Sequence, residues 1–440
     1  MAANVTKTAS GDAIENRPPR LTRRLFLAGV AVAILPACRA RMARPPLTVM
    51  PAAGWTSAPP APASPSGAVL NGIDLLAAQG FAPLKHLRVG LITNQTGVDR
   101  QRRATIDLLR NAPEVQLTKL FSPEHGIRGE LDEKVGDTTD ARSGLPVFSL
   151  YGARRSPTPE QLRDLDALVF DIQDIGCRFY TYISTLGLCL EAAGRAGKKF
   201  FVLDRVNPIG GLAVEGPVHH GASSFTAFHS LPLRHGLTVG ELARMFNAER
   251  GFKAALEIIP VTGWKRSQWF DQTGLPWINP SPNMRSLTAA TFYPGVGLLE
   301  FSLSVGRGTA TPFEILGAPY ADEVKLAMTL NQARLPGVRF TPARFTPESS
   351  IFKGRSCGGV RLELTSRESL RSADLGLLLA HTFQRLYPGD FTLEKVQTLL
   401  QDRTTLDAVK AGRPWEEIKK TWQDGLRQFE SRRARFLIYS

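Results

Sequence analysis

The 440-residue chain has four cysteines, and no two of them stand as C-x-x-C or in Cys/His ligand spacing. That argues against a structural zinc site. Cys177, Cys189 and Cys357, an odd set once Cys38 is put aside, read as isolated buried thiols. No run of Lys/Arg with interleaved aromatics occurs, which argues against nucleic-acid binding although the net charge is +14. No internal repeat is present. The apolar run Leu25–Leu35 is too short for a permanent membrane span, which needs about 20 residues.

What is there begins with an address. Thr22-Arg23-Arg24-Leu25-Phe26-Leu27 has the pattern of a twin-arginine export signal, and Leu35-Pro36-Ala37-Cys38 that of a lipoprotein cleavage site. Residues 1–38 therefore read as a removable signal. Cys38 would be the lipid-bearing residue and a membrane tether. Residues 39–67 are rich in Pro and Ala and read as a semi-extended linker. The protein is expected outside the cytoplasm, in the periplasm or as an anchored lipoprotein. The first 50 residues carry eight Lys/Arg against Asp12 and Glu15, so the rest of the chain keeps only a mild positive excess. That excess suits a solvated Arg-rich surface or an anionic substrate.

The body has 43% hydrophobic and 21% charged residues over a length that suggests two or three domains. Strand-like runs at His86–Thr93, Val115–Leu120, Pro146–Leu150, Ala167–Ile172, Phe200–Leu203 and Leu256–Val261 alternate with helical segments. Asp99 reads as the cap of a helix reaching Asn111. Thr158-Pro159-Glu160-Gln161 and Thr238-Val239-Gly240-Glu241 are capping boxes, and Tyr180–Ala196 is Leu/Ala-rich. The alternation predicts an α/β fold with a doubly wound parallel sheet over residues 68–290. A smaller α/β domain over 291–440 follows from an alternating strand at Val360, Leu362 and Leu364 and two amphipathic helices.

Asn94, Glu124, Asp171, Asp174, Asp204 and Asn207 all fall at or just past predicted strand ends, where a parallel sheet presents its chemistry. Asx residues also favour turns for local reasons. Glu124 stands out because Ser122-Pro123 ends its strand abruptly and Gly126 permits a tight turn beyond it. Pro276–Arg285, with three prolines in seven residues, cannot be helical. Its Trp277 suits either a sugar face or loop packing. Ser304–Thr309 resembles a phosphate-cradling loop but lacks both the Gly-Lys-Ser/Thr ending and the G-x-G-x-x-G spacing.

Six ordered motifs carry a resemblance: Gly90–Val98, Ser122–Gly129, Phe170–Tyr182, Leu203–Gly211, Glu215–Pro217 and Ser304–Thr309. Together they are similar to the NamZ-like exo-β-N-acetylmuramidases, over about Ala68 to the C-terminus. The resemblance implies a Rossmann-like first domain, a smaller second domain and an active site in the cleft between them. It also implies release of N-acetylmuramic acid from the non-reducing ends of peptidoglycan fragments. Within its motifs Glu124 is the favoured catalytic residue, while Asn94, His125, Arg178, Tyr180, Tyr182, Arg205, Asn207 and Arg307 are candidate substrate contacts. Val206 and Arg285 depart from the prolines common in relatives.

Glycoside hydrolysis needs an acid for the leaving oxygen and a second group at the anomeric carbon. Glu124 takes the first role. The second falls to Glu215, or to Asp171 or Asp174 orienting the acetamido group of the substrate in a substrate-assisted reaction. No cofactor or resident metal is implied. An arginine from Arg178, Arg205 and Arg307 is expected to hold the lactyl carboxylate. Two other classes share these features: a lipoprotein that binds wall fragments without cutting them, and a Mg²⁺-dependent phosphoester hydrolase using the acidic cluster and the Gly306-Arg307-Gly308 loop.

Overall fold

The computed structural model describes residues 67–124, 126–127, 136–152 and 154–440. The signal and nearly all of the linker expected from the sequence lie outside them, as does His125. Seven strands form the main sheet: β1 (Arg88–Thr93), β2 (Gln116–Ser122), β3 (Thr138–Thr139), β4 (Pro146–Ser149), β5 (Ala167–Asp171), β6 (Lys199–Leu203) and β7 (Ala255–Ile259). Their order is β3-β4-β2-β1-β5-β6-β7, parallel throughout except for the short edge strand β3. From β4 to β7 this is the doubly wound order, in which the chain starts at the centre, winds to one edge and returns to build the other.

The strand sequences specify both faces. All five residues of β5 are buried, as expected for a strand covered by helices on both sides. Leu168 and Phe170 join Ile92, Phe200 and Val202 in one apolar layer, with Leu186 and Leu190 of the helix Tyr182–Arg195 and Leu242 of the helix Val239–Glu249. Ala167 and Val169 join Val89, Leu91 and Phe201 in the opposite layer, under the helices Gly72–Ala78 and Thr105–Arg110. Both expected capping boxes form, with Thr158 and Thr238 each accepting the third N–H of its helix. One expectation fails: Asp99 does not cap the following helix. Its Oδ1 accepts the N–H groups of Gln101 and Arg103, so it organises a loop, and the helix starts only at Thr105.

The second half holds β8 (Ile315–Ala318), β9 (Val338–Phe345) and β10 (Cys357–Leu364) in an antiparallel sheet ordered β8-β10-β9. The helix Leu287–Val296 runs across position 290, so the halves are joined by continuous helix and not by a linker. It crosses the helix Ser372–Leu386 at a glycine pair: a Cβ on Gly295 would lie 1.9 Å from the Ser372 carbonyl oxygen. Both sheets belong to one compact unit and share a continuous apolar core.

Two buried polar junctions sew the halves together. Arg178, fully buried, donates from Nη1 to the carbonyls of Pro217 (3.1 Å) and Leu231 (3.2 Å). From Nη2 it donates to Leu399 (2.9 Å) and Leu400 (2.6 Å) of the second half. Burial pulls its pKa down to about 10, so the guanidinium is still charged at neutral pH. Glu215 accepts from Arg234 Nη1 at 2.7 Å and from the N–H of Ala373 at 3.2 Å, fixing the start of the helix Ser372–Leu386.

Removing the Arg178 guanidinium leaves four buried carbonyls without their donor. Arg178→Met should therefore cost at least about 3 kcal/mol of stability, read as a lower urea midpoint at unchanged slope; a wild-type midpoint would deny it this role. Two aspartates, Asp204 buried and Asp374 half-buried, make stability depend on pH. Burial pushes Asp374 up to about 6, with Lys419 opposing and Glu215 adding to the shift. Burial likewise carries Asp204 to about 6, against donors from Tyr439, Gly240 and Thr238. Each binds a proton in the native state between the ordinary 3.8 and about 6 that the unfolded chain releases. The contribution of these two groups to stability should be greatest below that window and fall as pH rises through it. Asp374→Asn should flatten part of this slope in urea titrations, and an unchanged slope would count against Asp374.

Candidate active site

The carboxyl end of β2 is buried through Leu120, Phe121 and Ser122, and Pro123 turns the chain out of the sheet. Gly126 at φ 71° closes the turn with its N–H on the Pro123 carbonyl at 3.2 Å. The half-buried Glu124 on this turn faces a cleft of about 320 Å³. The end of β4 contributes Tyr151 and Arg155, the segment after β5 contributes Phe179–Tyr182, and the proline-rich loop contributes Ser281 and Met284. Tyr293, Glu300, Arg307 and Leu399 come from the second half of the chain. The cleft thus lies between the two sheets' halves, as the resemblance implied.

Thr181 directly precedes the helix Tyr182–Arg195 but does not cap it. Its hydroxyl instead donates to Glu124 Oε2 at 2.9 Å. Among the described residues Oε1 has no hydrogen-bond partner. Tyr180 meets Tyr182 edge-on at 5.0 Å and Tyr293 at 5.7 Å, and the Tyr182 hydroxyl donates to the Pro280 carbonyl at 2.6 Å. Burial raises the pKa of all three phenols. The charge of Glu124 adds to this at Tyr182, and that of Glu300 does so at Tyr293. They stay protonated and form a neutral aromatic wall.

The second carboxylate is Glu300, which follows the turn Gly297–Leu299 at the end of the helix Leu287–Val296. Arg307 Nη2 holds its Oε2 at 2.7 Å. Gly306 and Gly308 both take positive φ, and the Gly308 N–H donates to Asn283 Oδ1 at 3.1 Å. The loop that resembles a phosphate cradle is therefore a tight turn that presents Arg307 to Glu300. Phe301 beside it is 44% exposed at the cleft, an unusual position for a large apolar side chain.

Of the residues expected from the sequence, Glu124, Tyr180, Tyr182 and Arg307 line the cleft. The others do not. Asp171 is fully buried, accepting from Arg205 Nε at 2.6 Å and from the Thr105 hydroxyl, so Asp171 and Arg205 neutralise one another inside the sheet edge. Asp174 Oδ2 accepts the Gly176 N–H at 2.7 Å and lies 3.4 Å from His235 Nε2. Glu215 and Arg178 are the junctions between the halves described above. Asn94 Oδ1 accepts the N–H and hydroxyl of Thr96. Asn207 bridges the Leu237 carbonyl and the Ile209 N–H. These strand-end polar residues build turns, as Asx side chains do. Trp277 packs edge-on against Phe270 at 5.2 Å and bonds Asn279, so it belongs to the loop.

Sequence reasoning passed over Glu300, Thr181, Tyr293 and Arg155. Glu300 lies seven residues before Arg307, a spacing that points nowhere until the glycine turn folds the arginine back. The switch point of the sheet, between β1 and β5, is filled: Asp99, Arg205, Phe270 and Trp277 leave about 10 Å³ there, too little for a nucleotide. Among the described residues no three of His, Cys, Asp and Glu come together as metal ligands.

Residues 89–288 match the family described as exo-beta-N-acetylmuramidase NamZ, N-terminal, and residues 291–439 match its C-terminal counterpart. The chain is 42% identical over 378 residues to the peptidoglycan beta-N-acetylmuramidase NamZ of Bacillus subtilis (strain 168), covering 84% of this chain and 91% of that protein. A crystal structure of a DUF1343 family protein from Bacteroides fragilis NCTC 9343 superposes with a TM-score of 0.80 at 38% identity, over 86% of this chain and all of that one. A second from the same organism gives 0.69 at 28%, over 84% and 99%. Through both halves, the chain belongs to the exo-β-N-acetylmuramidase NamZ family.

Proposed function

We propose that this chain is an exo-acting glycoside hydrolase that releases N-acetylmuramic acid from the non-reducing ends of peptidoglycan fragments. The activity named for its Bacillus subtilis relative supports the reading. The observation that carries it is Glu124, held through one oxygen by Thr181 in a cleft that also contains Glu300. Glu124 donates its proton to the glycosidic oxygen as the bond to the anomeric carbon breaks. Glu300 supplies the second carboxylate, opposing the positive charge that develops on the sugar ring, and water then adds to the anomeric carbon and returns a proton to Glu124. The Arg307 partner orients Glu300 for this role. Tyr180, Tyr293 and exposed Phe301 give apolar faces for a pyranose ring.

Export by the twin-arginine route, with Cys38 as a lipid-bearing tether, belongs to the same proposal and rests on the sequence pattern alone. It would place the enzyme where cell-wall fragments are released.

Glu124→Gln keeps size and polarity but cannot donate the proton. Turnover of a chromogenic N-acetylmuramic acid glycoside should fall about 10²- to 10⁴-fold with the fold retained. Glu300→Gln should also lower turnover far more than it alters KM; near-normal rates in either variant would remove that residue from the mechanism. Arg23→Lys combined with Arg24→Lys should strand the precursor in the cytoplasm, because the signal is receptor-read and not a simple charge. Fractionation showing unchanged export of the double variant would point to the general secretory route.

A further inference from the structure

The substrate proposed above carries an anion at neutral pH, the lactyl carboxylate, yet the arginines singled out from the sequence are committed elsewhere. Arg178 and Arg205 are buried outside the cleft, and Arg307 is paired with Glu300. Arg155, on the loop after β4, is the cleft's other arginine. Its neighbour Arg154 pairs with Asp137, and Arg195 across the adjoining groove pairs with Glu191. Among the described residues Arg155 meets no carboxylate. Its guanidinium carbon lies 4.0 Å from the centre of the Phe225 ring, which also lines the cleft. Tyr151 packs against the same ring at 6.4 Å. Stacking on an aromatic face holds a guanidinium plane in place while leaving its N–H edge open, which suits two-point binding of a carboxylate.

We propose that Arg155, braced by Phe225, is the specificity-determining residue that binds the lactyl carboxylate of N-acetylmuramic acid. The inference rests on the muramic-acid reading for its ligand. It adds the group by which the cleft tells that sugar from N-acetylglucosamine, which has the same acetamido ring and no carboxylate. Position supports it further. Arg155 and Glu124 follow the carboxyl ends of the hydrogen-bonded neighbours β4 and β2, so anchor and acid are set by one pair of strands. Arg155 also lines a second groove, beside Pro157 and Leu162.

The test separates binding from turnover. Calorimetric titration of free N-acetylmuramic acid and of N-acetylglucosamine into the full chain, and into Arg155→Ala and Arg155→Lys, measures recognition whether or not the glycoside is cut. The wild type should prefer the acidic sugar. Arg155→Ala should weaken its binding about 10- to 100-fold, the range expected for losing charge-assisted hydrogen bonds, with N-acetylglucosamine little changed. Arg155→Lys should recover only part of the loss, because an ammonium lacks the fork. In parallel, Arg155→Ala should raise KM for the chromogenic muramic glycoside while kcat changes less. A wild type without preference for the acidic sugar, a preference that survives in Arg155→Ala, or equal losses on both sugars would each overturn the assignment. Arg155-dependent binding without hydrolysis would uphold it and instead defeat the hydrolase reading.

Discussion

The structure depends on a buried cation. Arg178 leaves water entirely and spends the N–H groups of Nη1 and Nη2 on four main-chain carbonyls, two on each side of the boundary between the halves. Desolvating a guanidinium is expensive, and the cost is met only because every acceptor is in place at once. That all-or-none requirement makes it a good registration device: Leu399 is both one of its acceptors and part of the cleft wall. A shift of the second half relative to the sheet would break the set before it opened the cleft. The Glu215 junction works in the same way, tying Arg234 of the first half to the amide that starts the helix Ser372–Leu386.

Around these pins charge is sorted by depth. Ion pairs buried in the sheet edge, such as Asp171 with Arg205 and Glu241 with Arg266, satisfy each other and have no freedom left for a ligand. Groups facing the cleft are held more loosely. Among the described residues, Glu124 is held by a single hydroxyl, Glu300 by the guanidinium of Arg307, and Arg155 by an aromatic face. A carboxylate fixed through one oxygen keeps the other for proton transfer, and an arginine fixed by its plane keeps its edge. The same residue types therefore serve packing in one place and chemistry in the other, and the number of bonds already made is what separates them.

The doubly wound sheet usually offers its switch-point crevice to a ligand. Here the Asp171–Arg205 pair and the loop bearing Phe270 and Trp277 fill that crevice. The open space is displaced toward the β2 and β4 side, where the second half of the chain completes the walls. This explains why Glu124, on β2, and not a residue between β1 and β5, meets the cleft.

Much of the fold was legible because it rests on short-range rules: apolar runs bounded by turns, two capping boxes, a proline-rich loop that could not be helical. Glu124 was legible too, since a strand broken by Ser-Pro and followed by a glycine turn says locally that its next side chain leaves the sheet. The other carboxylates at strand ends carried the same local signal and yet turned inward, because whether Asp171 faces a substrate or Arg205 depends on a residue 34 positions away. Glu300 and Arg155 had no signal of their own. One becomes a cleft residue when the Gly306–Gly308 turn brings Arg307 back to it, the other when Phe225, 70 residues later, supplies the ring it stacks on. The sequence by itself determined which segments become strands and helices and where the chain turns. Which charged groups are neutralised and which remain available was decided only in the tertiary structure, because a charge's partner is chosen by proximity in space.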